Sequence, residues 1–290
     1  MEAPITNLAG KTVLVTGSTD GVGRVVARRL GEAGADVLAH GRDAKRGESL
    51  VSEIKARGGQ ARFIAADLSS VEPVRGLAEA VLGQTQRLDL FINNAGIGSG
   101  GPGASRQVNA AGCEMRFAVN YLSGFLLTML LLSLLKASAP ARIVNVSSAG
   151  QQAIDFDDVM LTRGYSGARA YMQSKLAQVL FTFDLAQSLE GTGVTVNCLH
   201  PASYMATTMV REAGVSPWTS VEEGAEAILN LATSPALAGR SGLYFDGLRE
   251  SRANAQAYDL RARERLRAIS RQLAGLPLQS NESHSGEYQS

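Results

Sequence analysis

Apolar residues follow two spacings along this chain, and the two spacings predict strands and helices in turn. Short runs rich in branched apolar residues, such as KTVLVT and VTVNCL, are typical of buried strands. Longer segments between them carry apolar residues three and four positions apart, which is the period of an amphipathic helix. Seven strands are predicted on this basis, at residues 11–16, 36–40, 61–66, 88–92, 142–146, 194–199 and 242–245.

The predicted helices fall between consecutive strands, and this alternation predicts the architecture. Strands that alternate with helices form a parallel sheet with helices on both faces. Because no internal repeat or linker divides the chain, we predict one domain over 1–290, an α/β fold with a Rossmann-type doubly wound parallel sheet. Its core spans about 10–248, and the polar tail at 278–290 is predicted to be disordered. The helices are predicted at 24–34, 43–57, 71–86, 109–136, 170–187, 221–233 and 249–274.

Composition narrows the possible functions. The chain has 290 residues, of which 45% are hydrophobic, so it can bury a sizeable core. Its net charge of +1 gives no reason to expect binding to nucleic acid or to an acidic membrane surface. The two cysteines, Cys113 and Cys198, are far apart in sequence, so neither a disulfide framework nor a metal site is expected. A reduced, cytoplasmic protein is the simplest account.

Neither the N-terminus nor the most apolar stretch of the chain has the pattern of a membrane segment. The N-terminal sequence MEAPITNLAGK lacks a charged start followed by an apolar run, so no signal peptide is expected. The most apolar stretch, at 122–135, is shorter than the about 20 residues that a bilayer span needs. We therefore predict a buried helix there and no membrane span.

A glycine-rich turn follows the first predicted strand and precedes the first helix. Gly17 allows a tight turn, while Gly21 and Gly23 allow the backbone to approach a pyrophosphate and the helix to pack on the strand. The N-terminus of that helix offers free N–H groups and a positive dipole end. Small or polar residues also end the other predicted strands, at the edge where doubly wound sheets bind ligands: Gly41, Arg42, Asp67, Asn94, Ser148 and Pro201.

Tyr171 and Lys175 are candidates for proton transfer. Residues four positions apart share one face of a helix, so the two side chains are expected to lie together. A free tyrosine has a pKa near 10, and a nearby cation favours the phenolate and lowers that pKa. The pair could therefore donate or accept a proton near neutral pH. A surface helix with an incidental tyrosine and lysine is the alternative.

Together these motifs resemble those of the classical short-chain dehydrogenase/reductase family. The resemblance covers about residues 10–248 and is greatest to the branch that includes retinol dehydrogenases, WW-domain oxidoreductases and their bacterial relatives. The matching stretches are TGSTDGVG at 16–23, Asp67-Leu68, NNAG at 93–96, FAVNYLSGF at 117–125, IVNVSS at 143–148, YMQSK at 171–175 and His200-Pro201.

The resemblance implies a nicotinamide cofactor and hydride transfer between an alcohol and a carbonyl. It implies that Tyr171 is the proton donor or acceptor and that Ser148 orients the substrate oxygen. Lys175 is expected to hold the ribose and lower the pKa of Tyr171, and Asn120 to position a proton-relay water. The cofactor-binding residues that it implies are Gly17, Asp20, Gly21, Val22, Gly23, Arg42, Asp67, Leu68, Asn94, Ala95, Gly96, Tyr171, Lys175, Pro201 and Thr207.

Some positions depart from the family's pattern or leave a choice. Tyr171 follows Ser148 by 23 positions, longer than the usual spacing, and Tyr165 lies between them. Because the residue four positions after Tyr165 is an arginine, Tyr171 is the preferred candidate. Ser147 is expected to be a hydroxyl at the sheet end rather than the catalytic serine. Ala202 replaces the family's usual glycine after the proline, so the following loop is expected to take a different path.

The loop after the sixth strand leaves two interpretations open. Its large apolar residues could belong to the core or form a lid over a substrate. These residues are Tyr204, Met205, Met209 and Trp218.

Cofactor choice is predicted from the end of the second strand. An acidic residue there binds the ribose 2′-hydroxyl, whereas an arginine accommodates a 2′-phosphate. By alignment with the family the acidic position is Gly41, and Arg42 follows it, so NADP(H) is predicted to be preferred over NAD(H). Asp20 stands where many NADP-binding relatives have a basic residue, and it could face the phosphate or cap the following helix.

The leading functional hypothesis is a cytoplasmic, NADP(H)-dependent carbonyl reductase or alcohol dehydrogenase acting on a fairly apolar small molecule. One alternative is a catalytically silent dinucleotide sensor or scaffold, which would be expected to have lost the Ser, Tyr or Lys. A sugar-nucleotide epimerase or dehydratase is disfavoured, because a larger C-terminal substrate region is not seen.

A homodimer or homotetramer is also predicted. The segment at 109–136 has an apolar middle, FLLTMLLLSLL, and family members commonly pair this helix and the Tyr-bearing helix across a two-fold axis. The alternative is that the sheet and the neighbouring helices cover this segment.

Overall fold

The computed structural model describes residues 7–101 and 103–277 and contains one eight-stranded sheet. The strand order is β3-β2-β1-β4-β5-β6-β7-β8, and all neighbouring strands are parallel except the antiparallel pair β7–β8. The predicted doubly wound fold is confirmed. The strands are β1 Thr12–Val15, β2 Asp36–Gly41, β3 Gln60–Ala65, β4 Leu90–Asn93, β5 Ala141–Val146, β6 Val194–His200, β7 Tyr244–Asp246 and β8 Arg249–Ser251.

Helices cover both faces of the sheet because its strands are apolar on both sides. Alternate residues of β1 belong to different cores: Leu14 packs with α3, α4 and α5, whereas Val13 and Val15 pack with α1, α2 and α7. The helices are α1 Gly21–Glu32, α2 Ala44–Ala56, α3 Val71–Gln84, α4 Ser123–Ala137, α5 Gly167–Ser188, α6 Thr208–Glu212, α7 Val221–Thr233 and α8 Leu260–Leu273.

The helix predicted at 109–136 begins later than its apolar pattern suggested. The Asn109 side chain instead accepts hydrogen bonds from the backbone N–H groups of Ala111 and Cys113 and holds a turn there. A π-helical turn over Phe117–Leu122 then leads directly into α4.

Among the described residues, one helical stretch is long and apolar enough to cross a membrane. It is Phe117–Ala137, longer than the 122–135 segment considered in the sequence, and 67% of its most apolar window is buried inside the protein. It packs against α3, α5 and the sheet, as a core helix does.

The region predicted as one helix at 249–274 is divided into three elements, so that prediction is wrong for its first half. A turn at Gly247, with φ +58°, reverses the chain, and β8 pairs with β7. A short 3₁₀ turn, Ala255–Tyr258, follows, and Asp259 then caps α8 by accepting from the Arg261 N–H. The predicted tail at 278–290 lies outside the described residues, and the assignment of the whole chain to one domain stays a prediction.

The C-terminal helix α8 covers α5. The Tyr121 hydroxyl is 2.7 Å from the Ser270 hydroxyl, and Arg267 pairs with Asp184 of α5 at 2.9 Å. The residues of α5 that are not buried are polar, lie near its ends or face the cleft described below. Helix α5 therefore has no exposed apolar stripe of its own to offer a second copy.

Candidate functional site

A cleft of about 500 Å³ opens at the carboxyl ends of the strands. It lies where the chain changes direction through the sheet, since β1 neighbours both β2 and β4. Most of the predicted site residues line it, whereas Asn120, Arg42, Asp67 and Leu68 do not. Those that line the cleft are Gly17, Asp20, Gly21, Val22, Gly23, Asn94, Ala95, Gly96, Ser148, Tyr171, Lys175, Pro201 and Thr207.

The glycine-rich turn is held by its contacts with the end of β4. Gly17 has φ +66°, and a Cβ there would lie 2.8 Å from the Ala95 Cα. The Asn94 amide donates to the carbonyl oxygens of Thr16 and Gly17, at 2.9 and 3.2 Å. A Cβ at Gly23 would overlap both the Gly17 carbonyl and the Asn94 amide, so only glycine lets α1 start this close to the turn. This close approach fits the pyrophosphate of a dinucleotide.

His40, in strand β2, supports this turn and was not identified from the sequence. It is buried, its Nδ1 accepts a hydrogen bond from the Gly17 N–H at 3.2 Å, and its Nε2 lies 3.2 Å from the Ala66 carbonyl oxygen. The contacts fit the neutral tautomer with the proton on Nε2. Burial lowers the pKa of His40 to about 4. A histidine at the end of the apolar run DVLAH was the available signal.

Asp20 caps α1. Its side chain accepts from the Gly21 N–H at 2.8 Å, and it also accepts from the Thr208 hydroxyl at 2.7 Å and pairs with Arg46 at 3.4 Å. The choice that the sequence left open is therefore resolved in favour of the helix cap.

The candidate residues for the adenosine end follow β2 and β3. Arg42 is exposed, and a Cβ at Gly41 would overlap the Thr19 side chain, so an acidic residue at 41 would require that side chain to move. Asp67 is exposed and holds its own turn by accepting from the Ser69 N–H at 3.0 Å, while Leu68 is buried in the core. The two strands are adjacent, so Arg42 and Asp67 follow neighbouring strand ends.

Tyr171 and Ser148 meet at the cleft. Helix α5 carries Tyr171 into the cleft, where it faces Ser148, two residues beyond the end of β5, closely enough for the serine side chain to lower the pKa of the tyrosine. The Ser148 Oγ accepts from the Gly150 N–H at 3.1 Å, which orients it. The two hydroxyls could therefore hydrogen-bond one oxygen atom of a ligand.

Lys175 lies beside Tyr171 but is bonded elsewhere. Its Nζ is 5.8 Å from the centre of the tyrosine ring, and it donates to the Val146 carbonyl at 2.9 Å and to the Gln178 side chain at 3.0 Å. Burial lowers the pKa of Lys175 to about 7. Burial also raises the pKa of Tyr171, and the neighbouring Ser148 side chain only partly opposes this. The predicted lowering of the Tyr171 pKa is therefore reversed in the protein alone, because the cost of burying a phenolate outweighs the groups that would stabilise it.

Asn120 lies in the π-helical turn behind the cleft. Its Oδ1 accepts from the Ile97 N–H at 2.7 Å, and its Nδ2 donates to the Ile97 carbonyl at 3.1 Å and to the Ser174 hydroxyl at 3.0 Å. A Cβ at Gly96 would lie 3.2 Å from the Asn120 Oδ1 and 3.6 Å from the Lys175 Nζ. The side chain thus fixes the strand-end loop close to Lys175.

The hydroxyls of the alternative candidates, Ser147 and Tyr165, are hydrogen-bonded to other partners. Ser147 donates to the Lys175 carbonyl at 2.8 Å, which agrees with its predicted role at the sheet end. The Tyr165 hydroxyl accepts from Arg116 at 2.7 Å and donates to Glu114 at 3.2 Å. Tyr165 therefore belongs to a different network from Tyr171.

The segment after β6 folds over the cleft. Met205 and Met209 line it, whereas Trp218 is 72% exposed and packs edge-on against Tyr204 with ring centres 4.6 Å apart. The backbone of Tyr204 accepts from the Trp218 N–H at 3.0 Å, so the two ends of the segment are tied together. Of the two interpretations, the core also fits Met205, which packs against the apolar cluster beneath α7, whereas the lid fits Met209 and the Tyr204–Trp218 pair. Thr207 caps the short helix α6, which the sequence analysis missed.

Comparison with known proteins identifies the family. The short chain dehydrogenase family model matches residues 11–216. The chain is 39% identical to human retinol dehydrogenase 13 over 93% of this chain and 86% of the relative.

Solved structures have the same fold. An uncharacterized protein from Mycobacterium paratuberculosis has a TM-score of 0.78 at 29% identity, with 94% of this chain and 97% of that chain covered. RhlG of Pseudomonas aeruginosa, solved as a complex with NADP, has a TM-score of 0.69 at 32% identity, with 84% and 97% covered. The chain is thus an NAD(P)-dependent oxidoreductase of the short-chain dehydrogenase family, near the branch of the retinol dehydrogenases.

Proposed function

We propose that this protein is an NADP(H)-dependent oxidoreductase that interconverts a carbonyl and an alcohol on a fairly apolar small molecule. The observation that carries the proposal is that Tyr171 and Ser148 face each other in the cleft that also contains the glycine-rich turn. The turn and the N-terminus of α1 would hold the pyrophosphate of NADP(H), which when bound would supply or accept the hydride.

The protein's own residues supply a proton and hydrogen bonds to the substrate oxygen. A carbonyl that becomes an alkoxide requires a proton and hydrogen bonds at its oxygen. Tyr171, whose raised pKa keeps the phenol protonated at neutral pH, donates the proton, and Ser148 donates a second hydrogen bond. Lys175, with a pKa of about 7, can gain or lose a proton near neutral pH. A protonated Lys175 favours the phenolate of Tyr171, so the two groups are coupled.

An apolar substrate is inferred from the lining on the Tyr171 side of the cleft. Met172, which follows Tyr171 in sequence, lines the cleft. From the segment after β6 the cleft is lined by Met205, Met209 and Val210. Methionine side chains adapt to irregular apolar shapes, which suits a flexible or extended substrate. The similarity to retinol dehydrogenases supports testing long-chain and retinoid aldehydes first.

NADP(H) preference rests on Arg42. Its exposed guanidinium follows β2, and no carboxylate stands at position 41 to repel a 2′-phosphate. The Asp20 carboxylate already accepts hydrogen bonds from the Gly21 N–H and the Thr208 hydroxyl, so we do not expect it to compete with a 2′-phosphate for Arg42. The NADP complex of RhlG is consistent with this choice in a relative.

A panel of ketones, aldehydes and secondary alcohols tests the proposal. NADPH consumption or NADP⁺ reduction is followed at the nicotinamide absorbance, with retinal and long-chain aldehydes in the panel and NADH as the comparison. We expect turnover of apolar carbonyls with NADPH. Tight NADPH binding with no turnover of any compound would instead favour the silent sensor. The cytoplasmic location and a homo-oligomeric state are parts of the same proposal, tested by cell fractionation and light scattering.

A further inference from the structure

Arg116 is a buried arginine that no step of the proposed reaction uses. Only 5% of the residue is exposed, and its guanidinium donates to four acceptors. These are the carbonyl oxygens of Gly98 at 3.0 Å and Ser99 at 2.9 Å, the Tyr165 hydroxyl at 2.7 Å and the Glu114 carboxylate at 3.3 Å. One side chain thus joins the loop after β4 to the loop before α5.

Glu114 completes this network and balances its charge. It is 1% exposed, and one carboxylate oxygen accepts from the backbone N–H groups of Arg116 and Phe117 at 2.7 and 2.9 Å. The other oxygen accepts from the Arg116 guanidinium and from the Tyr165 hydroxyl. A buried ion pair costs desolvation energy, and hydrogen bonds to both partners offset that cost.

The carbonyls that Arg116 holds belong to a wall of the cleft. Gly98 and Ser99 line it, and a Cβ at Gly98 would lie 2.8 Å from the Met209 side chain of α6. On the opposite side, a Cβ at Gly167 would overlap the Ser99 carbonyl oxygen. The wall formed by Gly98 and Ser99 therefore packs between α6 and the first turn of α5, the helix that carries Tyr171.

We propose that Arg116 is a positioning residue that sets the width of the substrate end of the cleft. It does so by holding the Gly98–Ser99 wall in one place relative to Met209 and Tyr171. The proposal deepens the proposed function and rests on it for the identity of the ligand. A lysine cannot replace the arginine, because its single ammonium group lacks the planar fork that bonds two carbonyls and a hydroxyl together.

The test compares Arg116→Lys with a matched control, Arg169→Lys. Arg169 also donates to two successive carbonyls, those of Arg163 and Gly164 at 3.2 Å, and pairs with Asp155 at 2.9 Å. It does not line the cleft.

In Arg116→Lys we expect KM for apolar carbonyls to rise about tenfold. The wall loses a charged hydrogen bond, and substrate binding must then supply the free energy that orders it. kcat should change little, and the NADPH dissociation constant should stay the same. Arg169→Lys should leave all three values unchanged.

A second measurement is independent of turnover. Hydrogen exchange of the backbone at 97–101 should become faster in Arg116→Lys and stay unchanged in Arg169→Lys. Tyr165→Phe is the milder variant if Arg116→Lys does not fold, since it removes one hydroxyl and should shift KM in the same direction by less.

Two results would overturn the inference. One is a fall in kcat at constant KM in Arg116→Lys, as expected if the arginine only stabilises the fold. The other is unchanged hydrogen exchange at 97–101. If the wild type turns over no carbonyl at all, the proposed function fails separately, and the exchange measurement alone decides the role of Arg116.

Discussion

The Asp20 carboxylate accepts a hydrogen bond from the Thr208 hydroxyl at 2.7 Å, across 188 positions of sequence. The same carboxylate caps α1 through the Gly21 N–H, and a Cβ at Gly21 would lie 3.1 Å from the Thr207 side chain. The glycine-rich turn and the segment after β6 are therefore joined by a direct contact. We therefore expect this contact to influence the release of a cofactor bound at that turn.

Removing the Thr208 hydroxyl should loosen the segment over the cleft. In Thr208→Val we expect NADPH to dissociate roughly threefold to tenfold faster, because an exposed charged hydrogen bond is lost. Thr208→Ser keeps the hydroxyl and is the matched control. Trp218, the single tryptophan of the chain, reports motion of the segment by fluorescence anisotropy without cofactor. Equal dissociation rates in the two variants would contradict this role for the contact.

Tyr171→Phe should separate binding from chemistry. The variant loses only the hydroxyl, so NADPH binding should persist while kcat falls by about 10²–10⁴, the range for a positioned acid or base. The measurement is single-turnover kinetics on a confirmed substrate, together with cofactor titration. Tyr165→Phe is the control for kcat alone, since that hydroxyl bonds Arg116 and Glu114 and its loss should change KM rather than proton transfer. Near-normal turnover in Tyr171→Phe would remove it as proton donor.

Arg42→Ala should abolish most of the preference for NADPH. The guanidinium can form charge-assisted bonds to a 2′-phosphate, and losing one such bond costs about 1.5–3 kcal/mol, or roughly ten- to a hundredfold in kcat/KM for NADPH. The value for NADH should change little. Arg46→Ala is the comparison, since Arg46 pairs with Asp20 and Asp43. A wild type that prefers NADH would refute the prediction.

His40 should make stability depend on acid pH. Its folded pKa of about 4 lies below its ordinary value of 6.5, so between these pH values the unfolded chain binds more protons than the folded one. Stability therefore rises as pH increases from 4 to 6.5 and levels off above it, a change on the order of 3 kcal/mol. Urea unfolding of the wild type and of His40→Gln across this range measures the effect. An identical pH dependence in both proteins would exclude His40 as its source.

The interface of the predicted oligomer should use α4 rather than α5. Helix α8 covers α5, while Met129, Leu130, Leu132 and Leu134 in the second half of α4 are only partly buried. We expect a dimer in light scattering at micromolar concentration, and Leu130→Glu should dissociate it, because a charge in an apolar interface is costly. Leu82→Glu on α3, at an exposed position, is the control. A monomeric wild type would contradict the predicted interface.

The sequence by itself determined the order of strands and helices and most of the site. The spacing of apolar residues is a local property, so β1 to β7, α1 to α5 and α7 follow from the pattern of a sheet that is buried on both faces. Tyr171 and Lys175 share a helix flank for the same local reason. Glycines 17 and 23 could be identified because a strand, a turn and a helix adjoin them in sequence.

Tertiary structure decided what depends on neighbours far apart in the chain. Three contacts join segments that the spacing of apolar residues does not relate to each other. They are the contact of Asp20 with Thr208, the burial of His40 against Gly17, and the Arg116–Glu114–Tyr165 network. The direction of the pKa shift of Tyr171 also required the structure, because it is set by burial and by the bonds that Lys175 makes elsewhere. β8 was missed since its three residues form a strand only by pairing with β7. Packing across the fold, rather than local pattern, determines such features.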